Sequence, residues 1–264
     1  MFELHGSNIR PLLFLAGLIL FLALEVLTPY RKNSVSKTYR WVNNVSLTLF
    51  NGLLIQAAFS SAIISTVVFV QDQGTGILNM FEAPALVKLL VTVLFLDFML
   101  YVWHLLNHKV PFLWRFHRVH HSDLNMDVST ATRFHFGELA ISAVIRICLI
   151  LFMGAGYLGV VIFESIVLFM TQFHHSSLRI AKWFERVWWI LFVPPSMHRI
   201  HHSVVIKERD SNYGAIFSIW DRALGTLITR LDQERIRIGV GAYNKPEKLN
   251  FFRLLAMPFT RPVR

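Results

Sequence analysis

Charged side chains are scarce in this chain of 264 residues: Asp, Glu, Lys and Arg make up 16%, where soluble domains carry roughly 25%. Apolar residues supply 54% and mean hydropathy is +0.49, so much of the surface is expected to face lipid. Cysteine occurs once, as Cys148. A single thiol excludes an intrachain disulfide and a thiolate metal site. Acidic residues are also few: 16 Asp and Glu stand against 26 Lys and Arg, for a net charge of +10. A basic chain can bind nucleic acid. Here basic residues collecting at the cytoplasmic face, near anionic headgroups, account for the charge better, and no nucleic-acid partner is expected.

The apolar residues fall into runs. The first extends from Pro11 to about Pro29 and is just long enough for a bilayer span of about 20 residues. It has no small-residue cleavage site, so it reads as a retained anchor. A loop with Arg31, Lys32, Lys37 and Arg40 follows. The second run covers about Val45 to Val70, and the third about Ala85 to Leu106. Between them QDQGTGILNMFEAP carries acids and no base. Lys and Arg mark cytoplasmic loops, so the chain is expected to start outside and place Arg31–Arg40 inside and Gln71–Pro84 outside. The third run then ends at the cytoplasmic boundary. After a polar segment, Pro111 to Glu138, apolar character returns from Leu139 to Phe173 with a break at GAGYLG. Each half is short for a span, which suggests a thin hairpin or a re-entrant pair. Arg146 within it must face protein or snorkel. GAGYLG matches a dinucleotide fingerprint on paper but lacks the strand and βαβ setting that such a site needs. WFERVWWILFVPP reads as an interfacial helix, with Trp183, Trp188 and Trp189 at headgroup level.

The histidines carry the chemistry. Twelve occur, and eight lie in three short segments: His104 and His108 in HLLNH, His117, His120 and His121 in HRVHH, and His198, His201 and His202 in HRIHH. Residues three and four apart share a helix face, so each segment projects its imidazoles to one side. Three such segments converging supply eight nitrogen ligands, more than one ion normally uses. Imidazole serves Zn, Cu, Fe and Ni alike, so spacing leaves the metal open. His5, near the terminus, is expected to be a bystander. Asp97, Asp123, Glu138, Glu208, Asp210 and Asp221 are candidates to hold the outer ring nitrogens.

HLLNH, HRVHHSD and MHRIHHS, with SNYGAIFSIWDRALGT downstream, resemble the fatty acid hydroxylase/sterol desaturase superfamily over roughly residues 90 to 228. The resemblance implies a pair of iron ions that activates dioxygen against a lipid C–H bond. It carries over His104, His108, His117, His120, His121, His198, His201 and His202 as ligands. It adds His175 of FHHSS, with His174 as a neighbour where relatives often have glutamine, and His135 of RFHFGE, where Phe136 replaces a common proline. It also places Asn212 and Tyr213 near the site. Asp221 and Arg222 are expected to form a structural ion pair.

The expectation is therefore an all-α integral membrane bundle with a cytoplasmic histidine-rich di-metal cap, in a bacterial inner membrane. The chain divides into a transmembrane region at 1–84, a hydroxylase-like domain at 85–230 and a basic tail at 231–264. The expected activity is hydroxylation of a lipid drawn from the bilayer. It uses dioxygen and two electrons from a separate reductase, ferredoxin or cytochrome, since no flavin, haem or iron–sulfur signature is present. Desaturation at the same centre, a membrane zinc hydrolase and a non-catalytic metal-binding protein are the rival readings.

Overall fold

The computed structural model describes the backbone of residues 3–261 and the side chains of residues 11–261; the His5 side chain lies outside that set. Within it the secondary structure is helical, with isolated bridges in place of sheets. The long helices are α1 (Glu3–Leu27), α2 (Lys37–Gln73) and α3 (Ala85–Lys109). Next come α4 (Pro111–His121), α5 (Phe136–Met153) and α6 (Tyr157–His175). Short helices follow: α7 (Lys182–Trp188), α8 (Pro195–His201), α9 (Ile206–Arg209), α10 (Ile219–Ala223) and α11 (Phe251–Ala256).

Among the described residues, four helical segments are long and apolar enough to cross a membrane: Lys37–Asn79, Ala85–Lys109, Phe136–Met153 and Tyr157–His175. The stretch Pro11–Leu27 is apolar but shorter. The expected break at GAGYLG is real. Gly154 ends α5 at φ +75, a conformation that costs other residues and suits glycine. The halves exceed the expectation because Glu138 at one end and His174 and His175 at the other lie inside the helices. At 18 and 19 residues each reaches about 27 Å, close to the hydrocarbon thickness. Gly76, at φ +93, meets the Gly154 backbone, and Asn79 donates to the Gly154 carbonyl at 3.2 Å. The α2–α3 loop and the α5–α6 turn therefore meet at one end of the bundle.

α2 packs on α5, α3 on α6, and α1 on α6. The α2–α5 seam buries Val67, Val70 and Ile150, and the α3–α6 seam buries Val93, Leu96, Phe163 and Met170. Lipid tails are as apolar as these side chains, so the seams hold by close packing rather than by exclusion of water. α1 meets α6 near its histidine end: the Phe21 ring packs at a tilt against Phe169 and Phe173, and Gln172 donates to the Phe14 carbonyl at 3.0 Å. Apolar side chains such as Leu53 on α2 and Leu86 on α3 stay exposed, as a lipid-facing surface requires.

The remaining chain caps the other end. Arg40, read as part of a basic loop, is instead buried: it donates to Asp123 at 2.5 and 2.8 Å and to Asp127 at 2.7 Å. Glu25 at the end of α1 accepts from the Val128 and Ser177 amides at 2.7 and 2.9 Å. Trp183 is exposed, as a headgroup-level residue should be. Trp188, by contrast, packs on Phe173 and Phe192, and Trp189 donates to Ser196. Residues beyond 231 fold back: Leu249, Leu254 and Met257 pack against Leu47 and Val119, and Arg118 donates to the carbonyls of Met257, Thr260 and Arg261.

Candidate metal centre

Each histidine segment is positioned by a helix end. His104 and His108 occupy the last turns of α3. Val110, extended, turns the chain, and Pro111 opens α4, where its missing N–H costs nothing. α4 then carries His117, His120 and His121, α8 carries His198 and His201 with His202 just beyond, and His175 ends α6. Nine imidazoles meet in two sets. His104, His108, His117, His121 and His201 form one; His120, His175, His198 and His202 form the other. Within each set the ligand atoms lie within 4.8 Å of one another. The triplets split in the same way. The i and i+4 rings of each go to one set, and the i+3 ring crosses to the other.

Four of the nine outer nitrogens are held by the protein, while Nδ1 of His108, His120, His121, His198 and His202 is buried without a hydrogen bond among the described residues. His104 Nδ1 donates to the Tyr213 carbonyl at 2.8 Å, His201 Nδ1 to Ser211 at 2.7 Å, and His175 Nδ1 to Thr171 at 2.8 Å. A carbonyl can only accept, so in these three rings the proton sits on Nδ1 and the Nε2 lone pair points inward. His117 Nδ1 donates to Glu138 Oε1 at 2.8 Å, and His108 Nδ1 stands 3.5 Å from Asp210 Oδ1. The Nε2 atoms of His120, His198 and His202 approach His175 Nε2 at 3.0, 2.9 and 3.2 Å. One lone pair cannot accept three N–H bonds, and among the described residues Nε2 of His104, His108 and His201 is buried with no partner. Converging, desolvated nitrogens of this kind fit metal cations and fit little else. Burial first, then the neighbouring imidazoles, pushes His120, His121, His198, His201 and His202 well below the ordinary histidine value, which keeps them neutral as ligands must be.

His135 is not brought into either set. It caps α5, with Nδ1 accepting from the Gly137 amide at 2.9 Å and Nε2 donating to the Leu255 carbonyl at 3.1 Å. His174 lies beside the second set, its ring centroid 4.1 Å from that of His198. Of the six candidate carboxylates, Glu138 and Asp210 reach a ring. Asp123 instead bonds Arg40, Asn44 and Thr130. Burial raises its carboxyl, but the Arg40 guanidinium overrides that and holds it well below the usual range. Asp97 accepts from the Ile216 and Phe217 amides and from Trp220, and Glu208 from Ser203. Asp221 does not pair with Arg222. It accepts from the Tyr213 and Gly214 amides, while Arg222 donates to the carbonyls of Ile190 and Trp189. The carbonyls of Ser211 and Tyr213 were not foreseen from sequence. They flank Asn212, whose φ of +56 is one that asparagine tolerates; the SNYG motif was the available signal.

A cavity of about 290 Å³ adjoins the centre. His104, His117, His120, His175 and His198 close it at one end. Leu96, Leu100 and Trp103 of α3, Leu139 and Leu149 of α5, and Phe163 and Val167 of α6 form apolar walls.

The segment that carries the nine histidines is similar to known proteins. The family model described as fatty acid hydroxylase matches residues 89–226. An ornithine lipid hydroxylase of Rhizobium tropici is 27% identical over 95% of this chain and 76% of its own length. Human cholesterol 25-hydroxylase is 30% identical over 56% of this chain and 55% of its own length. An alkylglycerol monooxygenase of Caenorhabditis elegans is 33% identical over 50% of this chain and 25% of its own. No solved structure matches.

Proposed function

This chain belongs to the fatty acid hydroxylase family, and from that premise we propose that it is a membrane oxygenase that hydroxylates a C–H bond of a lipid, with two iron ions held by the nine converging histidines. The observation that carries the reading is the junction of two imidazole sets with an apolar cavity between spanning helices. A lone metal-binding function needs no such cavity, and catalytic zinc commonly takes three protein ligands with one position left open, fewer than the five and four imidazoles of the two sets. The relatives' names, hydroxylases and a monooxygenase, favour hydroxylation over desaturation.

Two iron ions, when bound, supply dioxygen activation. In the overall reaction one oxygen atom enters the C–H bond and the other leaves as water, with two electrons and two protons consumed. The protein's own residues do the rest. Tyr213, Ser211, Thr171 and Glu138 hold rings so that lone pairs face inward. The walls of α3, α5 and α6 exclude water and seat a hydrocarbon segment beside the histidines. The electrons come from a separate carrier, for which the net charge of +10 favours an acidic partner. Arg31 and Lys37, which bond within the histidine-side cap, support a cytoplasmic centre.

The test is protein purified anaerobically with iron. About two iron ions per chain, exchange-coupled in the Mössbauer spectrum, are expected from the ligand count. Membranes given reductant and air should form a hydroxylated lipid. Alanine at any of the nine histidines should abolish that product in well-expressed protein. A stoichiometry near one, or full activity without dioxygen, overturns the proposal.

A further inference from the structure

We infer that residues 246–261, expected from sequence to belong to a basic tail, form an interfacial anchor. It dips phenylalanine rings into the leaflet on the histidine side and sets basic residues against anionic phospholipid headgroups. The anchor depends on the membrane spans and not on the hydroxylase chemistry. Helix α11 runs directly into a short 3₁₀ turn at Met257–Phe259. Along the two, Leu254, Met257 and Pro258 are buried, while Phe252, Ala256 and Phe259 are exposed. The exposed positions fall at i, i+4 and i+7, one stripe of a helix. Phe252 and Phe259 leave 78% and 76% of their surface uncovered, and Phe112 at the start of α4 leaves 58%. Among the described residues nothing covers these rings, and clustered exposed apolar groups mark a surface that meets a partner or a membrane.

Placement identifies the membrane as the occupant. The segment lies beside the histidine-side ends of three candidate spans. On α2, Asn43 Oδ1 accepts from the Phe251 amide at 2.7 Å, and the Phe50 ring lies 5.8 Å from that of Phe251. Beside that contact α2 exposes Leu49 and Leu53. At the start of α5, His135 donates to the Leu255 carbonyl at 3.1 Å. The Phe259 ring is 6.3 Å from Phe116, which is 5.4 Å from Phe112, and α4 begins directly after α3. The exposed rings therefore continue the lipid-facing surface of the spans. Lys245, Lys248, Arg253 and Arg261 are exposed in the same stretch, against Glu247 alone as an acid. Apolar rings flanked by cations are the pattern of an interfacial helix, and such cations draw anionic lipid. The anchor also bears on the metal centre. Arg118, which follows His117 on α4, donates to the carbonyls of Met257, Thr260 and Arg261, so a segment seated in the leaflet steadies the helix that carries three of the histidines.

The experiment uses the full chain in nanodiscs of mixed phosphatidylcholine and phosphatidylglycerol. Cys148→Ser removes the native thiol, and Ala256→Cys then places a single spin label between Phe252 and Phe259 without touching either ring. Dissolved oxygen should relax that label more than a water-soluble nickel complex does, at a depth of about 5–10 Å. A label introduced by Arg235→Cys, where the native side chain is 88% exposed, should show the reverse. Brominated lipid should quench a bimane on the same Ala256→Cys thiol, and more strongly when phosphatidylglycerol carries the bromine than when phosphatidylcholine does. Lys248→Gln and Arg253→Gln should each lower that preference about fivefold. Nickel access at position 256 equal to that at 235 overturns the anchor. A label at 256 shielded from both relaxants overturns it too, and dipolar broadening would then identify a second copy of the chain as the cover. Equal quenching by the two lipids, or a preference that neither substitution moves, overturns the role given to the basic residues.

Discussion

Glu138 and His135 sit three residues apart and do different work. Glu138, buried at 4% exposure, accepts from His117 Nδ1 at 2.8 Å, and a carboxylate there orients the ring and raises its basicity. Glu138→Gln keeps the helix and the shape. It should weaken metal retention by about 10–100-fold, read as iron lost during chelator titration; unchanged retention would remove the positioning role. His135 has both nitrogens engaged as the cap of α5. His135→Ala should leave metal content unchanged and cost about 0.5–2 kcal/mol as a lost cap, and a well-folded variant that loses an ion would return His135 to the ligands. At this scale the sequence is informative about grouping and silent about partition. The i, i+3, i+4 spacing shows that the three rings of a triplet share a face. Which ring crosses to the other set depends on how α4 and α8 approach, and nothing local encodes that. RFHFGE likewise cannot reveal that the His135 ring is taken up by Gly137 and Leu255.

Helices are legible where their lining is uniformly apolar and blurred where polar side chains face protein. α3 reads cleanly as a span. α5 and α6 read as too short, because Glu138 at the start of one and His174 and His175 at the end of the other lower the apolar signal where the helices meet the cavity. α2 shows the same effect at its start. Its first turns look like a basic surface loop, yet Arg40, Asn43 and Asn44 are buried, and the helix extends past the membrane to reach the cap. Arg40 ties it there through Asp123 and Asp127. Removing one partner of a buried network leaves uncompensated charge, so Arg40→Met should cost about 3–5 kcal/mol. Unfolding in mixed detergent would measure this, and a loss under about 1 kcal/mol would mean that the carboxylates find water instead. The effect should spread to metal retention, since Asp123 follows His120 and His121 by three and two residues.

For the whole molecule, the two hairpins fix which ends lie together. α2–α3 and α5–α6 each turn at a glycine-bearing loop, and those loops touch through Gly76, Asn79 and Gly154. Every histidine of the two sets lies at the opposite ends of these helices. With the four candidate spans in a bilayer, Thr75 and Lys207 must therefore face opposite sides, whichever way round the protein is inserted. The absolute sense comes from charge. Arg31 and Lys37 are on the histidine side, with Arg31 bonded to the Gln233 and Ile236 carbonyls and Lys37 to Glu25, and Lys and Arg are retained in the cytoplasm. Reporter fusions at Thr75 and Lys207 should give an external signal at the first and a cytoplasmic signal at the second. Signals on the same side would break the four-span arrangement itself. Opposite sides in the reverse sense would leave the fold intact and move the centre to the outer face.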